Sequence, residues 1–566
     1  MRKNSFCKDL PGKLLNAFSS VITLGVVVGM TSAIEAKAWV PDTRIDLTLS
    51  ENCRPEFLED GLIAKKGNML AIQQFSNEFF KRCETQLKQR SGSTWLTMIS
   101  MPELEYDFNR PEIKKIEFVD QRDGVVRPGY LGLQPGTQPR PLVIFQCGVL
   151  CNLGDSSMKA MFIGLFDTGV FHVLALPSST GSDYQKRNGV LALGGIDEGR
   201  QLTRIALMLK ERGFPYASRV SDVHLVGASL GGHSALYASL YADFYERATR
   251  LKPFDSVMAA CPVVRLQESI ENITRGSIIG RLFSSNFVSQ MTELFDYLPI
   301  LKSLIPTGRT FKPKYAELRS IIANGALDYY KNKTRDPSWG LAPLQDTRIS
   351  TVEDLWDAND FVENGYIKKI NPLFLWTSSD DPVVKYDANA EVLINRDEST
   401  QNQKIFSLVV PRGNHCMFEP AFGWQIAGAM MRGYFLSGSP EYSRLRRRSS
   451  LALLPSRIPY AFRPHFSERR TDIFWRINPK SKEIQLVSSF RDQNCSVGST
   501  SQNGKCFRNS AIPFKYQELN VASVPANRAE ILALERRLNT NYRIYGANGR
   551  YLSKDEDPVR IEMLNY

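Results

Sequence analysis

The chain has 566 residues, 43% of them hydrophobic and 23% charged, which excludes a fibrous or disordered protein and gives room for two to four folded units. Its formal net charge of +12 is uneven. Residues 440–566 hold 22 Lys and Arg against 12 Asp and Glu, and the span between residue 38 and that tail is close to neutral.

In chain order, the first segment reads as an address. Arg2, Lys3, Lys8 and Lys13 precede a mostly apolar run over 14–30, and Ala36-Lys37-Ala38 supplies small residues for cleavage before Trp39. Residues 1–38 are therefore expected to be a secretory signal peptide, which makes the mature protein secreted or periplasmic. The alternative is a membrane anchor left uncleaved, since the run nearly reaches spanning length. Eight cysteines follow the signal, and an even number in an exported chain implies disulfides. Cys53 with Cys83 and Cys495 with Cys506 are near pairs; the full connectivity is not readable. A metal centre is not expected, with no Cys-x2-Cys spacing and five histidines in all.

Residues 39–113 form an N-terminal extension, helical around "LAIQQFSNEFFKRCETQLKQ" (70–89). From 114 the pattern becomes regular. "KKIEFVDQRDGVVRPGYLGL" reads as a hairpin with Asp-Gly at its turn. Then come apolar runs of strand length: "PLVIFQCG", "VFHVLALP", "VHLVGAS", "SVMAACPVV", "PLFLWTS" and "IFSLVVP". Helical stretches separate several of them, such as "DEGRQLTRIALMLKERG" (197–213), with an acidic start and a glycine stop. Continuous apolar strands interleaved with helices predict an α/β fold, a mostly parallel, doubly wound sheet covered on both faces. The core spans 114–262 and 371–438. Between them, 263–370 is too long for a crossover and reads as an inserted helical cap or lid, with an apolar stretch over 276–306. Residues 439–566 form a basic C-terminal α+β domain, with a hairpin in "DIFWRINPKSKEIQLVSSF" and a late helix in "NRAEILALERRL".

Chemistry concentrates at "LVGASLGGHSAL" (225–236), where Gly227, Ser229 and Gly231 fill G-x-S-x-G between a strand and a helix. Such a turn lifts the Ser229 hydroxyl above the carboxyl edge of the sheet in a strained conformation, and the helix that follows aims its free amides at the same place. A serine nucleophile needs a base. His172 and His224 lie early in their strands, His233 lies within the helix and His465 in the basic tail; His415 alone follows the carboxyl end of a strand. Its carboxylate partner comes from "SSDDPVV": Asp381 fits the D-x-apolar-apolar turn, and Asp380 stands as the alternative.

With these residues in place, the segment 114–438 resembles the α/β-hydrolase superfamily. It matches in the nucleophile elbow, the acid loop, the histidine after the last strand and the inserted lid. The resemblance implies a Ser229–Asp381–His415 triad and an oxyanion hole from the amides of Leu230 and Val149. Val149 lies in "FQCGVLCN", where many members carry His-Gly; Cys147 and Cys151 also allow a loop-stiffening disulfide. The implied activity is a secreted serine hydrolase acting on carboxylic esters with lipidic or aromatic acyl groups, without a cofactor. The alternatives are a serine peptidase or amidase of the same fold, or a non-enzymatic surface-binding protein on its scaffold. Expected partners are a small-molecule or lipid ester and, through the basic tail, an anionic surface. Nucleic acid is not expected.

Overall fold

The computed structural model of the chain describes residues 49–88, 106–119, 124–210, 214–274, 315–335, 349–399, 402–413, 415–416 and 423–439, with short strands between 471 and 562. The signal peptide at 1–38, the apolar stretch at 276–306, the late helix, His465 and the Cys495–Cys506 pairing lie outside the described residues.

Eight strands build the main sheet: β1 (Ile113–Val119), β2 (Val126–Gly132), β3 (Arg140–Gln146), β4 (His172–Leu176), β5 (Val220–Ala228), β6 (Ser256–Ala260), β7 (Leu373–Ser378) and β8 (Ile405–Val410). They lie in the order β1-β2-β4-β3-β5-β6-β7-β8. β2 runs antiparallel to β1 and β4, and the strands from β4 through β8 are parallel. The hairpin and the six apolar runs thus fold as the sequence predicts. Beyond β1, a tail strand at Arg560–Glu562 pairs parallel to it, and the expected tail hairpin forms within a separate four-stranded antiparallel sheet.

The helices that matter here are α1 (Pro55–Ile63), α2 (Met69–Lys88), α3 (Ile196–Lys210), α4 (Leu230–Thr249), α5 (Leu266–Thr274), α6 (Tyr315–Arg335) and α7 (Gly423–Ser437). Strand side chains alternate between two cores, as the two-residue period of a strand requires. Leu142, Ile144, Leu225, Val257 and Leu375 join the core that contains α3, α4 and α6 residues. Val143, Phe145, Val226, Met258 and Trp376 join the core on the other face, with residues of α1, α2 and α7. The N-terminal extension is therefore a working layer of this second core. A Cys53–Cys83 disulfide, the expected near pair, ties the short turn before α1 to α2, and Arg432 of α7 donates to Glu59 of α1.

Candidate active site

β5 ends at Ala228 and α4 starts at Leu230, so Ser229 alone makes the turn, at φ 57° and ψ −118°. That backbone is costly for a residue with a side chain, and it requires bare neighbours. A Cβ on Gly227 would lie 2.0 Å from the Gly231 carbonyl oxygen, and one on Gly231 would lie 2.2 Å from that of Gln146. The two glycines let the elbow close on itself and on the end of β3. Two hydrogen bonds then fasten it to the neighbouring strand: the Ser229 amide donates to Ala260 O at 2.9 Å, and Val263 donates to Ser229 O at 3.3 Å.

Gly148 lies over the elbow, so that a Cβ there would be 3.1 Å from Ser229 Cβ. The loop it begins is closed by a Cys147–Cys151 disulfide and held open by Thr180, whose hydroxyl accepts from the Leu150 amide at 2.7 Å. Among the described residues, the amides of Leu230 and Val149 have no hydrogen-bond acceptor. Both residues line the same pocket as Ser229. Together with the open solvent at its mouth, the space in the pocket is about 690 Å³. Its wall is apolar: Val149, Leu193, Leu230 and Val263 from the core, Ile270 from α5 and Ile322 from α6. The residues between β6 and β7 thus supply one side of the pocket.

His415 follows β8, and its Nδ1 lies 2.9 and 3.1 Å from the two carboxylate oxygens of Asp381. Asp381 is buried at the end of β7, and its Oδ1 also accepts from the Val383 and Val384 amides at 2.8 Å each. The D-P-V-V turn therefore fixes the carboxylate, which in turn fixes the imidazole with Nδ1–H toward it and Nε2 free to accept. Asp380 is exposed and has a different contact: it accepts from the Gly413 amide at 2.8 Å and ties down the loop that carries His415.

Ser229 and His415 make no direct hydrogen bond among the described residues. They are neighbours through β6. Ala260 O, which takes the Ser229 amide, lies 4.0 Å from Cys416 Sγ, and that sulfur lies 3.5 Å from His415 Nε2. Cys416 is disulfide-bonded to Cys261, the residue after β6. Sequence reasoning did not find this bond. The available signal was that Cys261 directly follows β6 and Cys416 adjoins His415 in the loop after β8, both past the carboxyl edge of the sheet.

The other described histidines are structural. Burial pushes His172 down to about 3, with Arg219 and Arg140 nearby adding to the effect. His172 Nδ1 accepts from the Gln134 amide, so the proton sits on Nε2 facing Arg219 O. Burial likewise pushes His224 and His233 down to about 4. Unfolded, all three titrate near 6.5, so below that pH the unfolded chain binds more protons than the folded one. Their contribution to stability is complete above about pH 6.5 and is lost as pH falls toward 4, by about 1 kcal/mol per pH unit for each histidine. Urea unfolding is expected to give a clearly lower midpoint at pH 5 than at pH 7.5. Equal midpoints would show that these sites accept charge.

The strand order, the antiparallel β2 and the elbow after β5 define an α/β-hydrolase fold. The chain is similar to an esterase of Pyrococcus furiosus, at 15% identity over 59% of this chain and 95% of that one, with a TM-score of 0.35. It is also similar to the esterase domain of a Rhodothermus marinus protein (15%, 59% and 98%, 0.31) and to an acylaminoacyl peptidase (13%, 57% and 40%, 0.33). No protein-family model and no curated protein sequence matches it.

Proposed function

We propose that this chain is an exported serine hydrolase that cleaves carboxylic esters with an apolar acyl group. The observation that carries the reading is the opening of the Ser229 elbow into an apolar pocket, beside an imidazole already oriented by a buried carboxylate. Ser229 Oγ attacks the ester carbonyl while His415 Nε2 takes its proton and then returns it to the departing alcohol. Water repeats the sequence on the acyl-enzyme, with His415 again as base, and releases the acid. The developing oxyanion is received by the Leu230 and Val149 amides, with the positive end of α4 behind them. Hydrogen bonds between nucleophile and base are often long in an unliganded site and shorten with substrate.

The pocket favours an ester over a peptide. Among the described residues its polar lining is Ser229, Thr180 and Ser269, with no charged side chain to hold a chain terminus. Export agrees with the three disulfides, which persist in oxidising compartments. Attachment of the basic tail to an anionic surface remains part of the proposal and rests on its charge alone.

The direct test is labelling of the mature protein with a fluorophosphonate, expected on Ser229 and absent in Ser229→Ala; an unlabelled wild type beside a labelled control esterase would refute the reading. For p-nitrophenyl esters of increasing chain length, kcat/KM is expected to rise about fourfold per added methylene, equivalent to about 0.8 kcal/mol, until the pocket is full. Ile270→Trp is expected to move that maximum to shorter chains. Indifference to chain length would remove the acyl assignment.

A further inference from the structure

The Cys261–Cys416 disulfide does more than close a loop. His415 Nε2 and the two sulfurs all lie within 4.8 Å of one another, with Nε2 at 3.5 Å from Cys416 Sγ. Zinc binds thiolate sulfur at about 2.3 Å and imidazole nitrogen at about 2.0 Å, so tetrahedral ligands stand about 3.5 Å apart for sulfur and nitrogen and about 3.8 Å apart for two sulfurs. The separation of Nε2 from Cys416 Sγ already matches. The sulfur–sulfur separation is reached only when the covalent bond opens, and the bond therefore keeps a metal out. His415 Nδ1 is also held by the Asp381 carboxylate, the second-sphere contact that orients a metal-binding imidazole and raises its basicity.

We propose that reduction of Cys261–Cys416 exposes a Cys2His site for zinc or a similar soft divalent cation, made by Cys261, Cys416 and His415 Nε2. A dithiol gives two electrons and two protons to the disulfide and becomes a disulfide itself. The metal then binds both sulfurs as thiolates, releasing their two protons, and takes the neutral imidazole through Nε2; a water molecule completes four-coordination. This is the nitrogen that the proposed hydrolysis uses as base, so metal capture and turnover exclude each other. The inhibitory consequence rests on the functional reading above; the site itself does not. Cys261 and Cys416 are buried, and the imidazole is 19% exposed, so His415 is the member of the site that a small reductant and cation meet first.

The test uses the full mature chain, reduced with tris(2-carboxyethyl)phosphine, freed of it under anaerobic conditions and titrated with Co2+. A sulfur-to-cobalt charge-transfer band with intense tetrahedral d–d bands is expected at one equivalent, absent before reduction. His415→Ala keeps every cysteine and is expected to weaken binding at least about a hundredfold. The paired Cys261→Ser, Cys416→Ser variant is expected to lose the bands. A spectrum unchanged by His415→Ala, or one that persists in the paired serine variant, would overturn the site. His415→Ala decides the matter alone if the paired variant does not fold. In parallel, equimolar Zn2+ is expected to lower ester turnover of the reduced protein more than about a hundredfold, reversibly with a chelator, and to leave the oxidised protein unaffected. Equal inhibition of both forms would overturn the proposed exclusion. A His415-dependent cobalt spectrum in a protein without esterase activity would refute the functional reading and uphold the metal site.

Discussion

Replacing Ser229 or His415 by Ala is expected to lower ester turnover by about a million-fold, the loss typical of a nucleophile and base that act as one unit. The double variant is expected to be no worse than either single one, because proton transfer and attack are one event. Asp381→Asn is expected to cost about ten-thousandfold, since an amide beside Nδ1 permits the wrong tautomer and gives no charge to balance the imidazolium. Asp380→Asn separates the two carboxylates. Asp380 holds the Gly413 amide and not the ring, so its loss loosens the loop with a far smaller effect. Steady-state kinetics with p-nitrophenyl butyrate, with folding checked by near-ultraviolet circular dichroism, decides between them. A large loss in Asp380→Asn with Asp381→Asn near wild type would reverse the assignment.

How much of this was legible in the sequence depends on the range over which each signal acts. The strands were readable because parallel strands buried on both faces are apolar without interruption, as "PLFLWTS" is. The elbow was readable because its strand, glycines and helix lie within a few residues of Ser229, even though Gly231 answers the Gln146 carbonyl of β3 as well. His415 followed by elimination, and the structure sets it against Asp381 while His172, His224 and His233 are buried inside the fold, each pushed toward the neutral form by burial. Partners set by sheet order were not readable. Cys261 and Cys416 are 155 residues apart and meet because β6, β7 and β8 lie side by side. The acidic start of α3 marked the helix correctly but gave no sign of what the two carboxylates touch. Asp197 and Glu198 resemble solvent-facing complements to a helix dipole, yet both are buried. Asp197 accepts from Tyr329 of α6, tying the segment between β6 and β7 to α3, and Glu198 anchors a buried polar cluster.

That cluster gives the largest expected effect on stability. Glu198 accepts from Arg127 at 3.1 Å, from Gln146 at 3.2 Å, from the Ser179 amide and from the Ser234 hydroxyl. Arg127 also donates to Gln146 at 2.6 Å and to Pro177 O at 3.1 Å. Glu198→Ala leaves the buried Arg127 guanidinium without its carboxylate and is expected to destabilise the fold by about 3–5 kcal/mol, read as a lowered urea midpoint. Changing both, as Arg127→Met with Glu198→Leu, is expected to restore part of that stability: an apolar pair avoids the desolvation of two charges but leaves the Ser179 amide and the Gln146 and Ser234 donors without the Glu198 acceptor. Activity is expected not to recover with it. Gln146 ends β3 where the Cys147–Cys151 loop starts, Ser234 lies one turn after Leu230 on α4, and Ser179 follows β4; Glu198 alone touches all three. Without it, the Val149 and Leu230 amides lose their common support, and kcat is expected to stay about 10–100-fold down in the double variant, with KM little changed, because an oxyanion contact acts chiefly in the transition state. A double variant with wild-type kcat would mean that the cluster contributes folding energy and no alignment.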